Sequence, residues 1–401
     1  MRKITPTKIT LLFALFVTAI WSCKKLDLTI ANPNASLFEA TKLAFGTNID
    51  YANLNNYANQ AKPNYITLDN TTTNNITDAK ATLGRILFYD KNLSLNNTVS
   101  CASCHKQAFA FSDTLVASKG VLGGVTVRHS MRLINARFAQ ESKFFWNERA
   151  ESLENQTTMP IQDHLEMGFS GQNGRADMAA LLKKLAAIPY YKEMFTWAYG
   201  DANVTESRMQ TALAQFVRSI QSFDSKYDVG RAQVANDAQA FPNFTAAENQ
   251  GKTLFLTPPV FNAQSQRIGG GLGCQGCHRA PEFDIDPNSR NNGIIGVIGS
   301  NALDVGNTRA PSLRDLVNPA GVLNSPMMHT GAIRGLPGML GHYNSINNNP
   351  RNTNLDARLK PNNIGQQLNM TPAEINAVVQ FLQTLSGKNV YTDKKWGNPF
   401  I

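Results

Sequence analysis

Two short stretches decide how this sequence reads: Ser-Cys-Ala-Ser-Cys-His at 100–105 and Cys-Gln-Gly-Cys-His at 274–278. Each is a Cys-x-x-Cys pair followed at once by a histidine. Three chemistries use such pairs. Two thiols two residues apart can add to both vinyl groups of one haem, and the next residue then reaches the iron from the same side. This is the attachment signature of c-type haem, whose iron commonly takes a proximal histidine. Two Cys-x-x-Cys halves can also build a zinc site, but here they stand about 170 residues apart, far beyond zinc-ribbon spacing. A redox dithiol explains one pair, not the histidine in both. Two covalently bound haem c groups account for everything. Cys101, Cys104, Cys274 and Cys277 are then thioether anchors, and His105 and His278 are proximal iron ligands.

The fifth and last cysteine is Cys23. It follows a basic start (Arg2, Lys3, Lys8), an apolar run over 9–21 and the small residue Ser22. The run is too short for a comfortable membrane span and has the order of a secretory signal. The Ser-Cys junction fits a lipoprotein signal, with Cys23 lipidated as the first mature residue. Ordinary signal cleavage and an uncleaved anchor are the alternatives, and Trp21 is an untidy residue for a lipobox. All three carry the chain out of the cytoplasm, where covalent haem assembly requires it. The expected location is the periplasm, with membrane contact only through a lipid at Cys23.

The chain has 401 residues, enough for two domains with proper cores. Its net charge is +9, of which three charges belong to the basic start, leaving +6. Lys and Arg are scattered, so the excess reads as a solvated surface and no nucleic-acid partner is expected. The expected organisation is a signal peptide at 1–22, a tether and irregular extension at 23–78, a haem domain at 79–230 and a second at 231–401. Helices are expected at 79–92, at 176–199 with a break at Pro189, at 205–228 and at 245–256, where Thr245 and Glu248 form a capping box. Residues 231–244 read as a linker, 106–175 as long loops and 279–370 as mostly loop. Thr371-Pro372-Ala373-Glu374 opens a last helix that Gly387 closes. Strand signals are scarce. The fold class is mainly α: two c-type cytochrome-like haem domains with long loops.

Several stretches, in order, resemble the bacterial diheme cytochrome c peroxidases, MauG-type relatives included. They are Leu83–Ser94 before the first motif, Phe144–Gln156, Pro160–Met167, Ala310–Arg314, Pro326–Gly331 and the closing helix over 378–387. The resemblance spans roughly residues 75–390. It implies peroxide reduction at the N-terminal haem, with electrons entering through the C-terminal haem from a small donor protein, a cytochrome c or cupredoxin. By position, Glu166 matches the acidic residue above the peroxidatic iron, Trp146 the aromatic residue between the haems, and Gln156 and Pro160 other distal-pocket positions. Breaking an O–O bond heterolytically needs a base that moves a proton from one oxygen to the other, which suits a carboxylate. A surface acid for Glu166 and a core aromatic for Trp146 are the bland alternatives.

Two departures from the family pattern stand out. The position where peroxidases of this kind carry a distal methionine on the second haem, fourteen after His329, is Tyr343. Tyrosine is the MauG-type pattern; as a hard anionic ligand it predicts a lower potential than methionine. His342, Met328, Met339 and Met370 compete with it. The position of the histidine that blocks the first haem in many members, sixteen after the first motif, is Val121, which predicts an open first haem. His129 stands where the family often has an asparagine that helps bind calcium; calcium, if bound, would lean on backbone carbonyls near Asn324 and Pro326. His164 and His329 read as structural residues. The family often forms homodimers.

The leading expectation is a diheme peroxidase reducing hydrogen peroxide to water. The alternative is a MauG-like diheme enzyme oxidising a side chain of a partner protein via high-valent haem. A purely electron-transferring cytochrome is a third reading, against which Glu166 argues.

Overall fold

Thr77 accepts a hydrogen bond from the Lys80 amide and starts the first long helix, which runs to Tyr89 and delivers the chain to the first Cys-x-x-Cys-His motif. The computed structural model describes residues 38–140 and 143–401. The apolar run, Ser22 and Cys23 fall outside the described residues, and the signal and lipid-anchor expectations with them. Among the described residues no helix is long and apolar enough to cross a membrane.

In chain order the α-helices are α1 Glu39–Phe45, α2 Asp78–Tyr89, α3 Cys101–Cys104, α4 Leu153–Gln162, α5 Met178–Ala186, α6 Pro189–Tyr199, α7 Glu206–Ser219, α8 Lys226–Arg231, α9 Ala246–Leu256, α10 Leu336–Asn344 and α11 Pro372–Gln383. Three antiparallel two-stranded ribbons lie between α9 and α10. The molecule is mainly helical, as its sequence leads one to expect. Residues from Ala40 onward form one unit with two main apolar cores.

Each core is organised by one helix crossing. In the first, a Cβ on Gly84 of α2 would lie 2.0 Å from the Ala212 carbonyl oxygen and 2.8 Å from the Phe216 Cβ of α7. In the second, a Cβ on Gly251 of α9 would lie 2.0 Å from the Ala377 oxygen and 2.9 Å from the Phe381 Cβ of α11. The two halves use the same device, a glycine that lets two backbones touch, just before each haem motif. Arg314, fully buried, joins α8 to the second core by a paired contact to Asp228 at 2.9 Å.

The expected elements stand where local signals are strong. The capping boxes Thr245/Glu248 and Thr371/Glu374 both form, and Pro189 separates α5 from α6. Three expectations need correction. The helix expected over 205–228 stops at Ser219, because Asn135 accepts from the Ser222 amide at 2.8 Å and donates to its carbonyl. Ser225 and Asp228 then cap the separate α8. The expected loop over 106–175 contains α4, whereas 279–370 is mostly loop as expected, with α10 set in it. The last helix ends at Gln383, short of Gly387. The 23–78 stretch is irregular in most of its described part, but it is packed: Phe45, Tyr57 and Ile66 are fully buried, and the Glu193 carboxylate accepts from the Ala40 and Thr41 amides of α1.

The C-terminal residues leave the second core. Val390 and Trp396 pack in the first. Tyr57 and Tyr89 donate their hydroxyls to the Lys395 and Trp396 carbonyls, and the Trp396 indole donates to Ser219.

Candidate functional site

The first cavity is built around the first motif. Ser100 and Ser103 cap the short α3, which holds Cys101 and Cys104 on the cavity wall with His105. The His105 Nδ1 meets the Phe111 carbonyl at 3.1 Å. A carbonyl only accepts, so Nδ1 carries the proton and Nε2 keeps its lone pair. Burial lowers the His105 pKa, so the ring is neutral, as a metal ligand must be. α4 explains the next residues: Gln156 and Pro160, four apart, share the face that lines this cavity with Leu153 and Thr157.

Glu166 lines the same cavity and is half-buried. Burial pushes its pKa up to about 7, with Asp163 adding to the rise and Arg149 opposing it. Its backbone is fixed from behind. The Val121 amide donates to the Glu166 carbonyl at 2.9 Å. A Cβ on Gly120 would stand 1.8 Å from the Leu165 oxygen, so only glycine permits this approach. Val121, buried, is docked on the backbone of Glu166.

The second cavity is lined by His278, Tyr343, Met327, Met328 and Met339. Burial, with Arg358 and then Arg132, pushes the His278 pKa down to about 4, and its Nδ1 is buried without a partner. Cys274 and Cys277 precede it but do not line the cavity. Tyr343, on α10, is driven upward in pKa by burial. His342 points its Nε2 at the Asn292 carbonyl, 2.9 Å away, and neither it nor Met370 lines the cavity.

A shared wall separates the two cavities. His129, Ser130, Met131, Arg132, Trp146 and Pro311 line both. Trp146 is tied to both wall segments: its indole donates to the His129 carbonyl at 2.6 Å, and its own carbonyl accepts from the Arg309 amide at 2.8 Å. His129 uses Nδ1 on the Leu115 carbonyl at 2.9 Å. His329 uses Nε2 on the Gly296 carbonyl at 3.0 Å, and His164 pairs with Ser170 at 2.9 Å. All three histidines have structural work. Sequence reasoning missed Arg132, and nothing in its neighbourhood marks it.

The alternatives for the cysteines can now be weighed. Burial pushes the Cys101 and Cys274 pKa up to about 12 and those of Cys104 and Cys277 to about 11. Reactive dithiols have lowered values. Among the described residues no three of His, Cys, Asp and Glu gather to hold a metal, so the two pairs do not form a zinc site. With the solvent-open part counted in both, the first cavity spans about 1560 Å³ and the second about 600 Å³. Paired thiols, a neutral histidine and a largely apolar wall fit a c-type haem in the first; a buried neutral histidine with Tyr343 fits one in the second. Near Asn324, the side-chain amide donates to the Asp315 carbonyl and the Tyr391 hydroxyl, and Oδ1 is buried without a partner. That neutral oxygen is compatible with a hard cation but does not make a site.

Comparison with known proteins agrees with this geometry. A family model described as di-haem cytochrome c peroxidase matches residues 78–235. The methylamine utilization protein MauG of Methylorubrum extorquens is 30% identical over 328 residues, 79% of this chain and 80% of that protein. The cytochrome c551 peroxidase of Nitrosomonas europaea is 27% identical, over 77% of this chain and 80% of that one. A crystal structure of a MauG-like protein associated with microbial copper homeostasis superposes with a TM-score of 0.64 at 26% identity, covering 85% of this chain and 99% of that one.

Proposed function

The chain belongs to the di-haem cytochrome c peroxidase family, MauG proteins included, and we propose that it reduces hydrogen peroxide to water at the N-terminal haem. The observation that carries this reading is that Glu166, with its pKa raised to about 7, shares a cavity with His105. The reaction takes one peroxide, two protons and two electrons to two waters. Bound haem supplies the iron that exchanges those electrons. Glu166 takes a proton from one peroxide oxygen and returns it to the leaving oxygen, and a pKa near neutrality suits both steps. Gln156 and Pro160 shape the space on the same side. His105 and His278 would hold the two irons, the four cysteines would anchor the haems, and Tyr343 would bind the second iron. Trp146 stands in the electron path between residues 79–230 and 231–401, the two haem domains. Electrons come from a cytochrome c or cupredoxin in the periplasm, where Cys23 carries a lipid.

The test mixes haem-loaded protein with peroxide and reduced cytochrome c and follows donor absorbance, for the native chain and Glu166→Gln. Fast oxidation that collapses in the variant is the expected result. A second reading is favoured by Tyr343 beside His278 and by the MauG relatives: oxidation of a side chain on a partner protein. A slow donor reaction in the native chain, with peroxide still consumed, would select it and overturn the first.

A further inference from the structure

We propose that Arg132 is the anchor for a haem propionate at the wall between the two cavities, a binding role that rests on the di-haem reading. The argument begins with an electrostatic imbalance. Arg132 is 7% exposed. A buried guanidinium is costly unless it is paired and its donors are used. Three other buried arginines each face a carboxylate: Arg218 faces Glu154, Arg309 faces Glu148 and Arg314 faces Asp228. Arg132 has one hydrogen bond, from Nη2 to the Ser312 carbonyl at 3.0 Å. Its Nε is buried without a partner. Among the described residues no carboxylate lies within ion-pair distance of it. Asp315 acts on it only from farther away.

Where this cation sits is the second observation. Arg132 lines both the cavity of His105 and the cavity of His278. Burial pulls its pKa down to about 10, the mark of a cation whose counter-charge is missing from the protein itself. An anion that reaches the wall from inside a cavity supplies such a partner. A haem carries two carboxylates on flexible arms, and a guanidinium fork matches a carboxylate with paired donors. Of its donors, Nη2 is the one used by the protein, on the Ser312 carbonyl. Arg85 makes the contrast clear. It too is buried with no carboxylate beside it, yet its Nε reaches the Gly397 carbonyl at 2.6 Å and it lines neither cavity.

The placement has a redox consequence. A cation beside a haem favours the reduced iron, which carries less positive charge, and so raises the reduction potential. In a molecule whose second haem is held low by a tyrosine, Arg132 works in the opposite direction and narrows the gap.

The experiment uses the full haem-loaded protein in three forms: native, Arg132→Gln and Arg132→Lys. Haem content comes first. A native chain without two haems would sink the di-haem reading itself, independently of Arg132. With two haems present, resonance Raman reads the propionate bending bands and spectroelectrochemistry reads each haem's potential, which also shows whose propionate is held. Arg132→Gln is expected to shift a propionate band and to move at least one potential to a more negative value. Arg132→Lys, keeping the charge but not the fork, should retain the potential and still shift the band. If Arg132→Gln does not fold, the lysine variant decides by its Raman band. Unchanged bands and potentials, with only a lower melting temperature, would overturn the proposal and leave Arg132 as a structural partner of Asp315.

Discussion

Trp146 donates its indole N–H to the backbone carbonyl of His129 across 2.6 Å, and this bond fixes the ring in the wall that both cavities share. Trp146→Phe keeps an aromatic ring but leaves a buried carbonyl without its donor, which costs about 1–3 kcal/mol. The variant is expected to melt earlier by that margin in denaturant titrations. Peroxide-driven oxidation of a reduced donor should fall as well. Stopped-flow measurement checks it: if the first haem still reacts with peroxide at the native rate while donor oxidation slows, the ring serves transfer between the haems. Equal loss of both would mean that the wall has moved.

In the proposed reaction Glu166 would set the pH behaviour. With its pKa at about 7, the carboxylate that must accept the peroxide proton appears only as pH rises through neutrality. The rate should therefore climb across that range on its acid side, and Glu166→Gln should lower it by roughly 10²–10⁴-fold and flatten the limb. Stability runs the other way. The folded pKa lies above the ordinary glutamate value of 4.5, so between pH 4.5 and about 7 the folded state binds more protons than the unfolded one. Stability from this group is full below 4.5 and is lost as pH rises to about 7. Thermal melts at pH 5 and pH 8 should show Glu166→Gln gaining on the native chain at the higher pH.

The two helix crossings predict a matched pair of effects. Gly84→Ala and Gly251→Ala each drive a methyl group into a backbone carbonyl that cannot move aside. Overpacking of this sort costs about 1–3 kcal/mol. Each variant should unfold at lower denaturant, with loss of haem absorbance from the half that carries the change. Equal stability to the native chain in either case would show that the helices can slide apart there.

What the sequence made legible was local. The capping boxes at Thr245 and Thr371 need only four residues each, and both formed. α4 was hidden because Leu-Glu-Asn-Gln-Thr-Thr-Met-Pro is polar and carries Pro160, and its helix is held by packing against α7 rather than by an apolar stripe. α10 was hidden because Pro337, Gly338 and Gly341 lower its intrinsic propensity. The end of α7 at Ser219 depends on Asn135, whose partner Ser222 is 87 residues away in sequence, and no window reading can find such a pair. The return of Trp396 to the first core is non-local in the same way. Of the site, the cysteines and histidines were visible as spacing, and Glu166 and Trp146 only through resemblance. Arg132 was visible in neither, since a cation becomes informative only when its burial and its missing partner are seen together.

On the proposed function, Tyr343 is the residue that would set the character of the second haem. Its ring lines the cavity of His278, while His342 is spent on the Asn292 carbonyl and Met370 lies elsewhere. Burial raises the pKa of the phenol in the protein without metal, so the hydroxyl proton leaves only if iron takes its place. An anionic oxygen ligand favours oxidised iron, and a thioether favours reduced iron. Tyr343→Met should therefore raise the midpoint potential of the C-terminal haem and leave that of the N-terminal haem near its native value. Tyr343→Phe should open the sixth position, visible as a shift to high-spin absorbance or as capture by Met328 or Met339 from the same cavity. Spectroelectrochemistry on the three proteins checks this. A C-terminal potential that does not change in either variant would remove Tyr343 from the iron and give the position to one of those methionines.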